Sequence, residues 1–247
     1  MHYTIRYACL SHVGNIRRIN QDNFLCNGMI LENPGDPAAM AGTAASTEDP
    51  AFGIFDGMGG EECGEIASRI AAETADSFVF SRPSEELADF CFDANAEICE
   101  FADRNGIASM GTTAALIVFG RKRITVCNIG DSRIYRFSKG ELTRISVDHV
   151  VNVYGSGRKP PLSQNLGIPE EEMILEPYLA EGKYSDKDRY LLCSDGLTDM
   201  VTEEEIALIL QAAEVERAAA GLLERALKNG GRDNITIILC SVHRALF

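Results

Sequence analysis

Five aspartates stand at the ends of apolar runs, where a carboxylate is held firmly at the mouth of a strand. Asp56 follows Ala51-Phe52-Gly53-Ile54-Phe55 and is itself followed by Gly57-Met58-Gly59-Gly60. Asp195-Gly196 follows Leu191-Leu192-Cys193, and Asp131 follows Val126 to Ile129. Asp233 precedes Ile235 to Cys240, and Asp22 precedes Phe24-Leu25-Cys26. Short apolar runs with aromatic and β-branched members read as buried strands. The glycines supply positive φ or a missing Cβ where the chain approaches something closely. If these carboxylates meet, they cannot all ionise without cations, because like charges in a poorly solvated site raise each other's pKa. Oxygen ligands with no nearby cysteine or histidine select Mg²⁺ or Mn²⁺. A pair of such ions polarises a phosphoryl oxygen and lowers the pKa of a bridging water. The carbonyl of Gly57 is a further oxygen donor. Each Asp-Gly pair taken singly is ordinary turn chemistry, so the weight rests on the set.

The elements that must position them can be read in outline. Strands are expected at Thr4–Leu10, Asn23–Asn27 and the run into Asp56. Helices are expected at Glu62–Phe80 and Glu85–Asn105, where apolar residues recur every three or four positions. Arg82-Pro83-Ser84 separates the two helices, and Asn105-Gly106 closes the second. Hairpins follow, with strands Thr112–Phe119 and Arg123–Ile129 joined by Gly120-Arg121-Lys122, and Ser132–Phe137 and Glu141–Ile145 joined by Ser138-Lys139-Gly140. Asp148–Asn165 reads as a loop, Met173–Tyr178 and Asp188–Cys193 as strands. Thr202 with Glu205 forms a capping box for another helix. Val215–Lys228 is a last helix closed by Gly230-Gly231, and Asn234–Val242 a last strand. Leu31–Glu48, rich in Gly, Pro, Ala and Thr, reads as a long and mobile surface connection. Strand runs joined by hairpins and interrupted by helix pairs favour an antiparallel sandwich with helices outside. There is no internal repeat, and residues 1–247 are expected to form a single domain.

Composition narrows the function. A net charge of −14 over 247 residues argues against nucleic acid or a basic membrane patch as partner. The 8 cysteines include no CxxC pair and most lie in apolar runs, so they read as reduced core residues. No apolar run approaches the ~20 residues of a membrane span, and the N-terminus lacks a signal-peptide core. A cytoplasmic protein is expected, without a membrane partner and as a monomer. Ser194 has no G-x-S-x-G elbow, His12 and His243 lack partner spacing, and His149 is expected to order its loop through a hydrogen bond.

Six motifs in order, GNIRRINQD (from Gly14 to Asp22), FDGMGG (Phe55 to Gly60), GTTAAL (Gly111 to Leu116), IGDSRIY (Ile129 to Tyr135), SDGLTD (Ser194 to Asp199) and GRDNIT (Gly231 to Thr236), span nearly the whole chain. The chain thereby resembles the bacterial branch of the metal-dependent protein phosphatase 2C (PPM) family. The resemblance implies an α+β fold, a four-layer αββα sandwich of two mostly antiparallel sheets flanked by helix pairs. It also implies hydrolysis of phosphoserine and phosphothreonine on proteins by direct attack of a metal-bridging hydroxide. The cofactors implied are two, or with a weak third site three, Mn²⁺ or Mg²⁺ ions.

Carried over by position, the resemblance gives Asp56 as the bridge between two metals, with the Gly57 carbonyl beside it. Asp195 is expected on one metal and Asp233 on the other, and Asp131 with Asp195 on the weaker third. Asp22 is expected in the surrounding shell through waters. Arg17 of the R-x-x-N-x-D pattern is expected to bind the substrate phosphate, its fork matching phosphate oxygens. Asn234 is expected to orient Asp233. The partners implied are phosphorylated proteins and, in opposition, a Ser/Thr protein kinase.

Three departures stand out. Gln21 replaces the family's usual glutamate, which predicts weaker metal binding. Met58 stands where animal members carry a histidine suggested as general acid. The loop after Asp148-His149 is short, and its Arg158-Lys159-Pro160-Pro161 reads as solvated more readily than as a substrate contact. The alternatives are a catalytically weak or silent member that binds phosphopeptides as a regulatory module, or a relative specialised for one regulator.

Overall fold

Alternate residues of the long strands are apolar on both sides, and this places them between two layers. In β12 (Ile235–Arg244), Ile235, Ile237 and Leu239 face one apolar cluster while Ile238, Cys240 and Val242 face another. In β6 (Ala114–Phe119), Ala114, Leu116 and Val118 face outward to helices, while Ala115, Ile117 and Phe119 face inward. Strands buried on both faces read as continuous apolar runs, as these do. The computed structural model describes residues 2–33, 37–58, 63–151 and 159–245. Gly59, Gly60, the expected helix start at Glu62, and 152–158, including Arg158, lie outside them.

The remaining strands are β1 (Tyr3–His12), β2 (Asp22–Cys26), β3 (Ala38–Ala45), β4 (Ala51–Met58), β5 (Gly111–Thr112), β7 (Arg123–Ile129), β8 (Arg133–Ser138), β9 (Glu141–Arg144), β10 (Tyr178–Lys183) and β11 (Arg189–Cys193). They form two six-stranded sheets, ordered β3-β1-β12-β11-β8-β9 and β10-β7-β6-β4-β2 with β5 on β4. Every pairing of these strands is antiparallel. The sheets enclose a core of Phe24, Phe52, Ile117, Tyr190 and Ile238 among others. The second sheet is covered by α1 (Gly64–Ser77) and α2 (Pro83–Asn105), the first by α3 (Asp195–Thr198), α4 (Glu203–Ala212) and α5 (Val215–Lys228). The four-layer α+β sandwich expected above is therefore observed. Among the described residues no helix is long and apolar enough to cross a membrane.

Local signals set the helix ends. Pro83 occupies the first turn of α2, where its missing N–H costs nothing. Gly106 closes that helix at φ 65°. Thr202 and Glu205 make the capping box of α4. Thr202→Ala is expected to cost about 1 kcal/mol, read as a fall in Tm of roughly 2–4 °C. Turnover at assay temperature should not change, since α4 lies outside the cleft described below.

Three expectations need correction. Within Leu31–Glu48 the chain forms strand β3, which pairs with β1 from Thr4↔Ala45 to Ser11↔Ala38. Its Ala, Gly and Met residues have little strand preference of their own, and the ladder offered by β1 decides the outcome. Met173–Tyr178 is not a strand. Its apolar character comes from Met173 and Leu175 packing on the helix-covered cluster, and the strand begins only at Tyr178. Finally, β4 does not stop at Asp56: it runs to Met58, pairing Gly57 with Thr112.

Candidate metal centre

The carboxylates reach one end of the sandwich because neighbouring strands end there. Asp22 and Asp56 are cross-strand partners in β2 and β4. Asp56 is fixed by its backbone: its N–H donates to Thr113 Oγ1 at 3.0 Å and its carbonyl accepts from the Thr113 N–H at 2.9 Å. Asp131 follows β7 after Gly130, whose φ is 91°. Asp195 opens α3 directly after β11, and Asp233 precedes β12.

The two Asp-Gly glycines are required by close approach and not by positive φ. A Cβ on Gly57 would lie 2.1 Å from the Gly64 carbonyl oxygen and 2.5 Å from that of Gln21. A Cβ on Gly196 would lie 1.9 Å from the Asn234 carbonyl oxygen. These backbone contacts draw the Asp56, Asp195 and Asp233 corners together.

Arg17, Gln21, Asp56, Gly57, Met58, Asp131, Lys159, Asp195 and Asp233 all line one cleft of about 430 Å³. Of the expected site residues, Asp22 lies beneath its wall, 1% exposed. Its Oδ2 accepts from the hydroxyls of Ser194 at 2.8 Å and Thr236 at 2.7 Å. Its Oδ1 is buried without a hydrogen-bond partner. Asn234 ties the Arg17 loop to the Asp233 corner: its Oδ1 accepts from the Gln21 N–H at 2.8 Å, and its Nδ2 donates to the carbonyls of Val13 and Ile19. It touches Asp233 through its backbone N–H, which donates to Asp233 Oδ1 at 2.9 Å. Arg17 Nη2 donates to Asp233 Oδ2 at 2.8 Å, and for the adjacent Arg18 there is no ion pair among the described residues.

Electrostatics follow from this crowding. Burial, and then the charges of Asp22, Asp131 and Asp233, push the Asp56 carboxyl well above its ordinary range. Burial pushes Asp22 up to about 6, against the pull of the Thr236 and Ser194 hydroxyls. Two carboxylates with raised pKa, an orphaned buried carboxylate oxygen and a purely oxygen donor set fit a hard divalent cation. Among the described residues no three His, Cys, Asp or Glu side chains converge as a ready-made metal cage. The physical reason is visible, since Arg17 and Lys159 stand on Asp233, Asp131 and Asp195 as counter-ions.

Sequence reasoning missed two residues. Lys159, read as solvated, hydrogen-bonds Asp195 and lies 3.1 Å from Asp131 Oδ2. Glu65, in the first turn of α1, receives a hydrogen bond of 3.4 Å from Gln21 Nε2. Its place in GEIAS, shortly after the glycine-rich stretch, was the available signal for Glu65; for Lys159 it was the Arg158-Lys159-Pro160-Pro161 run, where the solvated reading was given more weight than a contact in the cleft. Gln21→Glu is therefore expected to place two carboxylates together, lowering Tm in EDTA and tightening Mn²⁺ binding. Calorimetric titration and a melt of the same sample check both signs. His149 meets expectation, its Nδ1 accepting from the Gly130 N–H at 3.1 Å.

Comparison with known proteins adds an independent line. Residues 41–235 match the family model described as protein phosphatase 2C. The chain is 31% identical over 258 residues to the serine/threonine protein phosphatase PstP of Mycobacterium tuberculosis, covering 96% of this chain and 45% of that protein. The chain thus spans less than half the length of that relative. It is 29% identical over 247 residues to the serine/threonine phosphatase stp of Listeria monocytogenes, covering 92% and 91% of the two chains. A crystal structure of the PstP catalytic domain with 2 manganese ions superposes with a TM-score of 0.77 at 31% identity, covering 98% of this chain and 100% of that one.

Proposed function

Because the chain belongs to the protein phosphatase 2C family, we infer that it is a Mn²⁺- or Mg²⁺-dependent phosphatase acting on phosphoserine and phosphothreonine in proteins. One observation carries this reading: Asp56, Asp131, Asp195 and Asp233 line one cleft together with Arg17, the one arginine there among the described residues. Asp56, Asp195, Asp233 and the Gly57 carbonyl would hold two cations, Asp131 with Asp195 a third, and Asp22 the surrounding waters. Bound there, such ions polarise a phosphoryl oxygen and supply an ionised water near neutral pH.

The chain's own residues do the rest. Arg17 stands at the cleft wall with a planar fork suited to two phosphate oxygens. It offsets the charge on the transferred group, the term that dominates phosphoryl transfer. Asn234 and the Gly57 and Gly196 contacts keep the donors in place without adjustment during reaction. The substrates are phosphoproteins, the opposing activity is a Ser/Thr protein kinase, and the protein works as a cytoplasmic monomer with residues 1–247 as one catalytic domain.

Hydrolysis of p-nitrophenyl phosphate and of a phosphothreonine peptide, measured in EDTA and then with Mn²⁺ restored, tests this. Turnover of both that appears only with metal is the expected result. A folded protein inactive at millimolar Mn²⁺ would instead be the silent phosphopeptide-binding member, with Gln21 as the first residue to change.

A further inference from the structure

Two cationic side chains line the cleft among the described residues, Arg17 and Lys159, and only Arg17 has been given a task. Lys159 is 47% exposed along its side chain, yet its ammonium is inserted among three carboxylates. It hydrogen-bonds Asp195 Oδ2 and lies 3.1 Å from Asp131 Oδ2 and 3.9 Å from Asp199 Oδ2. A solvated surface lysine gains nothing from such a position, because ordering a long side chain costs up to about 2 kcal/mol of rotamer entropy.

The backbone delivers it there. The loop is closed at its base by the Val150↔Leu162 bridge, by the Val151 N–H donating to the Pro161 carbonyl at 2.9 Å, and by the Ser163 N–H donating to the His149 carbonyl at 2.9 Å. His149 is locked to Gly130 in both directions, through its own N–H to the Gly130 carbonyl and through Nδ1 from the Gly130 N–H. The loop is therefore anchored on the residue that precedes Asp131. Pro160 and Pro161 have fixed φ and hold the residues before them extended, so Lys159 is aimed from a stiff tether at the corner to which its own loop is bound.

We propose that Lys159 is a built-in counter-ion of the Asp131–Asp195–Asp199 corner, holding it together without metal and competing with the divalent cation that binds there. The inference rests on the metal-dependent reading above. Without the ammonium, Asp131 and Asp195 would lose the cation they share, and the like charges left on one wall of the cleft would repel. A divalent cation brings twice the charge and displaces one ammonium. Lys159 therefore sets how much free metal is needed to fill this corner and, through Asp195, weighs on the principal cation that carboxylate would hold, while the cation on Asp233 is affected less.

The test is Mn²⁺ binding by the full chain, measured by calorimetry and equilibrium dialysis, together with melting in EDTA. Lys159→Gln is expected to bind its weakest Mn²⁺ about tenfold more tightly, equivalent to about 1.4 kcal/mol, and to melt at a lower temperature than wild type in EDTA. Lys159→Arg, which keeps the charge, should stay close to wild type in both. Asp131→Asn should remove the weakest binding event in either background and so identify it. Superimposable isotherms and equal melting temperatures for wild type and Lys159→Gln would overturn the inference and leave the metal-dependent reading standing. A wild-type chain that binds no Mn²⁺ would overturn both.

Discussion

Asp56→Asn should abolish phosphatase turnover and yet make the metal-free protein melt higher. The two signs have one origin. Asp56 is set on β4 beside its cross-strand partner Asp22, and burial with the charges of Asp22, Asp131 and Asp233 drives its carboxyl well above the ordinary value of 3.8. A carboxyl with a raised folded-state pKa contributes stability at low pH and loses it as pH rises from the unfolded value toward the folded one. The neutral amide keeps the shape and removes that loss. The Tm difference in EDTA should therefore be small at pH 5 and larger at pH 7.5, by roughly 2–4 °C for each kcal/mol relieved. With Mn²⁺ present the order reverses, since wild type gains the binding energy of the ion and the variant loses its shared ligand. Losing even one preorganised donor at a transferred group costs about 10²–10³-fold in kcat, and Asp56 would serve both ions. Turnover within tenfold of wild type would remove Asp56 from the site, and a variant that melts lower in EDTA at pH 7.5 would remove the repulsion argument.

The legibility of this site in the sequence was uneven for physical reasons. Asp56, Asp131, Asp195 and Asp233 were visible because each stands beside an apolar run, and because glycine is required beside three of them. The structure gives those glycines their causes. Gly57 and Gly196 leave room for a backbone carbonyl, whereas Gly130 takes the left-handed conformation. The sandwich was legible from doubly apolar strands such as β6 and β12. β3 was not, because an edge strand of small residues is specified by the partner it pairs with. Met173 and Leu175 misled for the opposite reason, being apolar in order to pack on the helix-covered cluster rather than to join a sheet. Lys159 was hard to read because its partners lie elsewhere in the chain, Asp195 being 36 positions away. A lysine in a polar loop carries little pattern, and only the closure of that loop on Gly130 gives it a place.

Arg17→Ala separates catalysis from stability where Asp56→Asn joins them. The Arg17–Asp233 pair spans 2.8 Å, but both side chains are substantially exposed, at 48% and 34%. A surface pair of this kind contributes at most about 1 kcal/mol, so Tm in EDTA should move by no more than a few degrees. Loss of the arginine also takes a positive charge from beside Asp233, so Mn²⁺ binding should be unweakened or tighter. Turnover should nonetheless fall, by about 10²–10³-fold in kcat/KM for p-nitrophenyl phosphate, the scale of losing one charged donor at a transferred group. Arg17→Lys should recover only part of it, because an ammonium is a point charge and cannot bind two oxygens in parallel. Steady-state kinetics at saturating Mn²⁺, with binding measured on the same samples, tests the split. If turnover and Mn²⁺ affinity fall together, Arg17 supports the metal corner, and if turnover stays within threefold it does not meet the phosphate. Unweakened binding with lost turnover places the guanidinium on the substrate side of the cleft, released from Asp233 for the phosphoryl group.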